Sequence, residues 1–277
     1  MKKLISLVLV LLFCSSLLAQ KREKIKGSKN VTVEQKEIAA FENLEVEDDI
    51  ELFLVKGDKS KLEIEADDNL HSVIEINAIG KTLRLTTSKE VSGAKKFTIT
   101  ITYTSDFKML VAKHESKITA LSDLELESFT FKTFDFSKIF ANVKTKSFTL
   151  MSNDKSKIEL NLKSDSSTIE LSKNSELKAL IASNTLKIDM YQKAEAKIEG
   201  DVMELKLRLD NNADFTGKNL IVKNAEIIAE GATNCKVNVT TTAQLEASGK
   251  SEIQFYGDAK IELKKFTENT VIMKKSL

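Results

Sequence analysis

Ser116-Lys117-Ile118, Ser137-Lys138-Ile139, Ser156-Lys157-Ile158 and Ser175-Glu176-Leu177 are four copies of one short phrase. Echoes follow at Ala194-Glu195-Ala196, Ala213-Asp214-Phe215, Cys235-Lys236-Val237 and Ser251-Glu252-Ile253. Their last, apolar members step by 21, 19, 19, 19, 19, 22 and 16 residues. A period near 20 built from short alternating segments is the mark of a solenoid in which each repeat is one coil. The expected assignment is apolar third positions in the core, with the Ser and Lys positions at corners or facing solvent.

The segments between these phrases alternate strictly. Ile158-Glu159-Leu160-Asn161-Leu162, Leu186-Lys187-Ile188-Asp189-Met190 and Leu205-Lys206-Leu207-Arg208-Leu209 each place apolar residues on one face and polar residues on the other. That is a half-buried strand. Clusters such as Ser152-Asn153-Asp154 and Asp210-Asn211-Asn212 read as corners. A hairpin-built sandwich would favour Asn-Gly or Asp-Gly turns, and neither dipeptide occurs. The absence of Pro and the presence of only nine Gly in 277 residues suit uninterrupted hydrogen-bonded ladders. The expected fold is all-β: a right-handed parallel β-helix with coils of about 20 residues, preceded by a strand-rich N-terminal module.

Four segments follow from this. Residues 1–20 read as a signal peptide, with Lys2 and Lys3 before the apolar run Leu4 to Phe13 and cleavage after Ala19 or Gln20. Residues 21–37 read as a flexible lead-in with a first strand at Val31 to Glu34. Residues 38–109 form the N-terminal β module, open to being continuous with the solenoid, and residues 110–277 hold the repeats and a C-terminal cap. Within the module, strands are expected around Leu44, Leu52, Ile64, Ile74 and Leu83, and over Phe97 to Tyr103. Thr270 to Met273 reads as a last strand with Lys274-Lys275 beside it.

Composition removes several functions. Without Lys2 and Lys3 the chain keeps 40 basic residues against 41 acidic ones, so it lacks the basic excess of a nucleic-acid binder. No later apolar run is long enough to span a bilayer. Cys14 leaves with the signal, so Cys235 has no internal disulfide partner and is expected as a small buried filler beside Val237 and Val239. The two histidines, His71 and His114, stand in different modules. Glu115 and Ser116 next to His114 would point to opposite faces of a strand, so no hydrolytic triad forms there. Asp48-Asp49 and Asp67-Asp68-Asn69 lack calcium-loop spacing and read as turn acids.

The serious enzymatic alternative is a polysaccharide-acting β-helix. It would use outward groups among Glu159, Glu170, Lys187, Asp189, Lys206 and Arg208, with Arg208 or Lys206 as base near Asp189. A mixed-charge ladder explains the same residues. Sugar platforms are scarce. Tyr191 and Tyr256 stand alone, and the cluster Phe129, Phe131, Phe134, Phe136, Phe140 and Phe148 is expected to pack against the N-terminal module.

Phe41-Glu42-Asn43-Leu44-Glu45-Val46, then Ile50, Leu52, Gly57-Asp58, Leu62-Glu63-Ile64-Glu65-Ala66-Asp67-Asp68-Asn69-Leu70 and Ser248-Gly249-Lys250-Ser251-Glu252-Ile253-Gln254-Phe255-Tyr256-Gly257-Asp258 resemble the auto-transporter adhesin, head GIN domain family of exported bacterial proteins. The resemblance covers roughly residues 38–265. It implies a right-handed, strand-rich β-helix at the cell envelope or surface. The family's corners are rich in Gly-Ser-Gly. Those of this chain read Asn-Asp-Lys-Ser, Lys-Asn-Ser or Asn-Asn-Ala, so left-handed Asn and Asp are expected in place of Gly. The functional expectation is a non-enzymatic, exported β-solenoid, adhesin-like or an envelope scaffold. Its partner would be a protein or glycan at the envelope, and assembly into homo-oligomers through the solenoid ends is open. The alternative is a carbohydrate-active enzyme or polysaccharide-binding module. No catalytic, cofactor-binding or metal-binding residue is assigned.

Overall fold

The computed structural model describes residues 22–276. The signal-peptide reading of residues 1–20 lies outside them. The chain is an all-β parallel solenoid of about nine turns. At about 4.8 Å per strand this makes a rod roughly 43 Å long.

Six long strands build its body: Lys138–Ser152, Lys157–Leu171, Glu176–Met190, Glu195–Leu209, Asp214–Ala229 and Asn234–Ala247. Each lies parallel to the next. In the four strands from Lys138 to Leu209 the alternation of burial changes phase once. In Lys157–Leu171 the inward residues run Ile158, Leu160, Leu162 and Ser164, then Ser167, Ile169 and Leu171, with Asp165 and Ser166 both exposed between them. A coil is therefore a flattened loop. A first arm (157–164) bends into a second arm (166–171), and a four-residue turn (172–175) closes it. Alternation of period two puts one face of each arm into a shared core.

The turns explain the repeated phrase and correct one expectation. The Ser of Ser-Lys-Ile does not face solvent: Ser116, Ser137, Ser156 and Ser175 are completely buried. The Ser137 hydroxyl donates to the Phe134 carbonyl at 2.8 Å, and Ser156 to Asn153 at 2.8 Å. In these two turns the carbonyl three residues back satisfies the buried hydroxyl, whereas the Ser116 and Ser175 hydroxyls make no such bond. Two residues before each small buried residue the backbone turns left-handed. Asp135, Asp154, Asn211 and Asn212 do so as expected, but so do His114, Lys173, Gln192, Lys193 and Glu268. Glycine serves only at Gly231 and Gly249 in these turns. The strain of a left-handed L-residue is offset by stacking: Lys155 N–H donates to Asp135 O at 2.7 Å and Asn174 N–H to Asp154 O at 2.8 Å.

The pairing also corrects the register of one echo. Phe215 stacks on Cys235 and Cys235 on Ile253. The core member of that coil is thus Cys235, two residues before Val237, with buried Thr233 in the Ser position. Cys235 is a buried filler, as its alternation with Val237 and Val239 suggests.

The N-terminal strands continue the ladder in an order the chain does not follow. Asn43–Val46 sits between Met109–Ala112 and Thr82–Thr87. Glu51–Lys56 sits between Lys117–Ala120 and Phe97–Tyr103. Antiparallel strands then close this end: Lys61–Asp67 on Phe97–Tyr103, Val31–Glu37 on Lys61–Asp67, and Ile74–Ile79 on Thr82–Thr87. The segment expected as a flexible lead-in carries Val31–Glu37 and a further strand, Lys24–Lys26, paired with Glu90–Ser92. Asp67 holds it there. Its carboxylate accepts the backbone N–H groups of Lys29, Lys95 and Lys96 at 2.8 to 3.1 Å. Asp68 takes the Asn30 amide, and Asn69 accepts from Ser28 N–H. The acidic triplet is a clasp.

The aromatic cluster divides. Phe129, Phe131 and Phe148 are buried and continue an edge-to-face stack from Phe41 and Phe107, with Phe107 and Phe129 centroids 4.9 Å apart. They do pack against the N-terminal module. Phe134 and Phe140 are half-buried, and Phe136 is 52 % exposed.

At the other end, Lys260–Phe266 lies on Asn234–Ala247 and Val271–Lys274 on Glu252–Tyr256. No described strand covers the outer edges of these two. Lys260, Lys264 and Lys265, together with a register shift at Leu245/Glu246, blunt the edge against further pairing.

Candidate functional site

The outward positions of the first arms form a trough. Three adjoining concavities of about 510, 440 and 970 Å³ run along it. The first two share Asn142, Asn161 and Leu180; the last two share Lys144, Lys163, Ala182 and Asp201. The depression has a sequence cause. The coil of Glu176–Met190 places Ala179 and Ala182 where its neighbour carries Leu160 and Lys163. The register shifts opposite Lys197–Gly200, where the following strand holds one residue more between Thr216 and Leu220, and again between Gly217 and Ile221. Bulges bend a strand and re-aim its side chains. Gly200 is required at the first bulge: its φ is +117°, and a Cβ there would lie 2.1 Å from the Ile181 carbonyl oxygen.

Amides line the middle of the trough in register. Asn142 and Asn161 are stacked partners, and the Asn161 amide donates to Asn142 Oδ1 at 2.8 Å. Asn142 donates onward to Asp123 at 3.2 Å. Some of the flanking charges are paired. Lys144 sits 2.7 Å from Asp123 and 3.3 Å from Glu125. Those hydrogen bonds push the Lys144 ammonium up, and Lys144 with Asn142 holds the Asp123 carboxyl below its usual range. Lys197 lies 3.6 Å from Glu199. Leu180, 54 % exposed, and the half-buried Phe140 ring supply apolar surface.

The six outward candidates of the sequence do not converge. Glu159 lies on a first arm, in the trough. The other five lie on second arms, with Glu170, Asp189 and Arg208 in one column and Lys187 and Lys206 in the next. They pair as a ladder: Lys187 with Asp189 at 2.8 Å, Lys206 with Glu226 at 3.2 Å, Arg208 with Glu230 at 3.3 Å. The Asp189 hydrogen bond pushes the Lys187 ammonium up, which holds its proton more firmly. Tyr191 follows in the turn, half-buried, and desolvation pushes its phenol up. Exposed pairs of this kind contribute little to stability and serve as a solvated face.

His114 is a turn residue in left-handed conformation, its Nδ1 3.3 Å from both the backbone nitrogen and the carboxylate of Asp48. Asp48 in turn accepts Thr87 N–H at 2.8 Å and pairs with Arg22 at 2.5 Å. His71 Nε2 is 2.9 Å from Thr32 Oγ1. Burial pushes the Cys235 thiol far up, so it carries no thiolate. Tyr256 is half-buried, its hydroxyl donating to Gln254 Oε1 at 3.3 Å.

Asn142, Leu180 and Gly200 escaped the sequence reading. The nineteen-residue interval between Asn142 and Asn161 was the available signal. The bulges had none.

Solved structures share this architecture. A "putative adhesin" from Parabacteroides merdae aligns with a TM-score of 0.63 at 16 % identity, over 92 % of this chain and 98 % of that one. A "putative adhesin" from Parabacteroides distasonis aligns with a TM-score of 0.63 at 19 % identity, over 91 % of this chain and 100 % of that one. A "putative lipid binding protein" from the same organism aligns with a TM-score of 0.63 at 15 % identity, over 91 % and 97 %. At these identities the likeness is one of fold. No curated protein sequence matches the chain. The family described as "Putative auto-transporter adhesin, head GIN domain" matches residues 40–259.

Proposed function

Because the chain belongs to the head GIN domain family of auto-transporter adhesins, we propose that it is a non-enzymatic, adhesin-like interaction module of the cell envelope that grips an extended partner along the first-arm trough. The observation that carries this reading is the continuity of the trough: residues from six successive coils, from Phe140 to Thr240, line one connected depression. A compact substrate needs an enclosed pocket with a few convergent groups. A long open depression with columns repeated coil after coil suits a partner that is itself long. Export to the envelope accords with the family and with the signal expected over residues 1–20. No helix of the described residues is long and apolar enough to cross a membrane.

The carbohydrate-active alternative gains no support from the candidate acids and bases, which are divided between two arms, with Lys187, Asp189, Lys206 and Arg208 tied into ion pairs. The test is retention of the purified chain on isolated bacterial envelopes. Wild type and a second-arm variant, Arg208→Glu, are expected to be retained, and a trough variant, Leu180→Arg, to be lost. Equal retention of the Leu180 and Arg208 variants would remove the trough from the function.

A further inference from the structure

We propose that the partner in the trough is an uncharged, hydroxyl-rich glycan chain lying along the rod axis. This rests on the trough being the binding face, as argued above, and adds the chemistry of what binds.

The first argument is electrostatic. Lys144 is neutralised by Asp123 and Glu125, and Lys197 by Glu199. Glu159 stacks in register beside Lys178. Six lysines and five carboxylates line the three concavities, so the trough offers no strong single-sign field to attract a polyanion or a polycation.

The second argument is the kind of hydrogen-bonding group. The amides of Asn142 and Asn161 each carry donors and an acceptor side by side. Vicinal hydroxyls present the same mixed pattern. The two amides stand one coil apart, about 4.8 Å, so a chain crossing these two coils meets the same group twice before the column passes to Leu180. Phe140 at one side and Leu180 in the next column but one offer apolar surface for the C–H face of a sugar ring.

The third argument weighs against a protein partner. Protein interfaces concentrate their affinity in aromatic and arginine anchors seated in pockets. The residues lining the trough include no Trp, Tyr or Arg, and Phe140 is their one aromatic side chain. The floor is made of Ala179, Ala182 and Gly200, which give room without anchoring.

The experiment is affinity electrophoresis of the purified chain through gels containing neutral polysaccharides of several linkages, with a sulfated polysaccharide alongside. At least one neutral polymer is expected to retard the wild type, to the same degree at low and high salt. Asn161→Ala is expected to weaken that retardation about tenfold, the loss of one well-made hydrogen bond to ligand. Arg208→Glu is expected to leave it unchanged. Retention on envelopes treated with periodate or with protease separates this inference from the one beneath it. Loss after periodate and survival after protease is the expected pattern. Survival after periodate and loss after protease, with retention still abolished by Leu180→Arg, would keep the trough and overturn the glycan. Retardation only by the sulfated polymer, fading with salt, would also overturn it, as would silence towards every polymer.

Discussion

Glu47 joins three layers of the rod where the chain order is scrambled. It follows the strand Asn43–Val46, its N–H donates to Leu85 O at 3.0 Å, and its carboxylate takes Arg84 Nη2 and Lys113 Nζ, each at 2.9 Å. Its side chain is 7 % exposed. Burial works against the charge, but the hydrogen bonds from Lys113 and Arg84 outweigh it and hold the carboxyl down at about 2. The perturbation is Glu47→Gln, which keeps the shape and removes the charge. A fall from 4.5 to about 2 corresponds at full strength to roughly 3 kcal/mol. Arg84 and Lys113 stay 43 % and 33 % exposed, so water screens the attraction and the working figure is about 1 to 2 kcal/mol. A depressed carboxyl stabilises the fold fully above its unfolded value of 4.5, and that contribution drains away as pH falls through about 2. Urea unfolding of wild type and Glu47→Gln from about pH 7 downward measures the gap. It should stand at about 1 to 2 kcal/mol near neutrality and close progressively below pH 4.5. A gap of only a few tenths at neutrality, or one constant with pH, refutes the reasoning.

Gly200→Ala should destabilise the chain and weaken trough binding together, because a Cβ would meet the Ile181 carbonyl at 2.1 Å; thermal unfolding and the polysaccharide gels read both effects. Leu207→Ala, at a site 2 % exposed in the middle of the stack, should cost about 2 to 5 kcal/mol in urea unfolding, whereas Lys206→Ala beside it should cost less than about 0.5 kcal/mol. The Cys235 thiol, fully enclosed and far from ionising, should resist an aromatic disulfide reagent in the native state and react at once in urea; rapid native labelling would contradict its burial.

Where periodicity carried the signal, the chain could be read directly. Ile158, Leu160 and Leu162 with Glu159 and Asn161 between them declare a strand and its inner face, and the interval to Leu177 declares the coil. Three features resisted for physical reasons. Cys235, Val237 and Val239 share one phase of alternation, so nothing local says which of them stacks on Phe215. Ser156 looks like any polar turn residue until the Asn153 carbonyl is seen beneath its hydroxyl. The insertion of Asn43–Val46 between Met109–Ala112 and Thr82–Thr87 joins residues 66 and 39 positions apart, and no local pattern encodes such pairings. The trough was half legible. Asn142 and Asn161 repeat with the coil, but the bulges and the approach of Gly200 to Ile181 exist only between coils.

The coils from Lys138 to Leu209 repeat every nineteen residues with each strand in register with the next. An in-frame tandem duplication of residues 176–194 would therefore set Glu176–Met190 on a copy of itself, with Leu177 on Leu177 and Ile188 on Ile188, and require no new kind of contact. An in-frame loss of the same segment would bring Lys157–Leu171 onto Glu195–Leu209, Ile158 on Ala196 and Ile169 on Leu207. Rod length is thus open to change by gain or loss of whole coils, while the clasped N-terminal end and the lysine-guarded C-terminal edge stay as they are. The length of the rod is a quantity this fold can alter in whole coils.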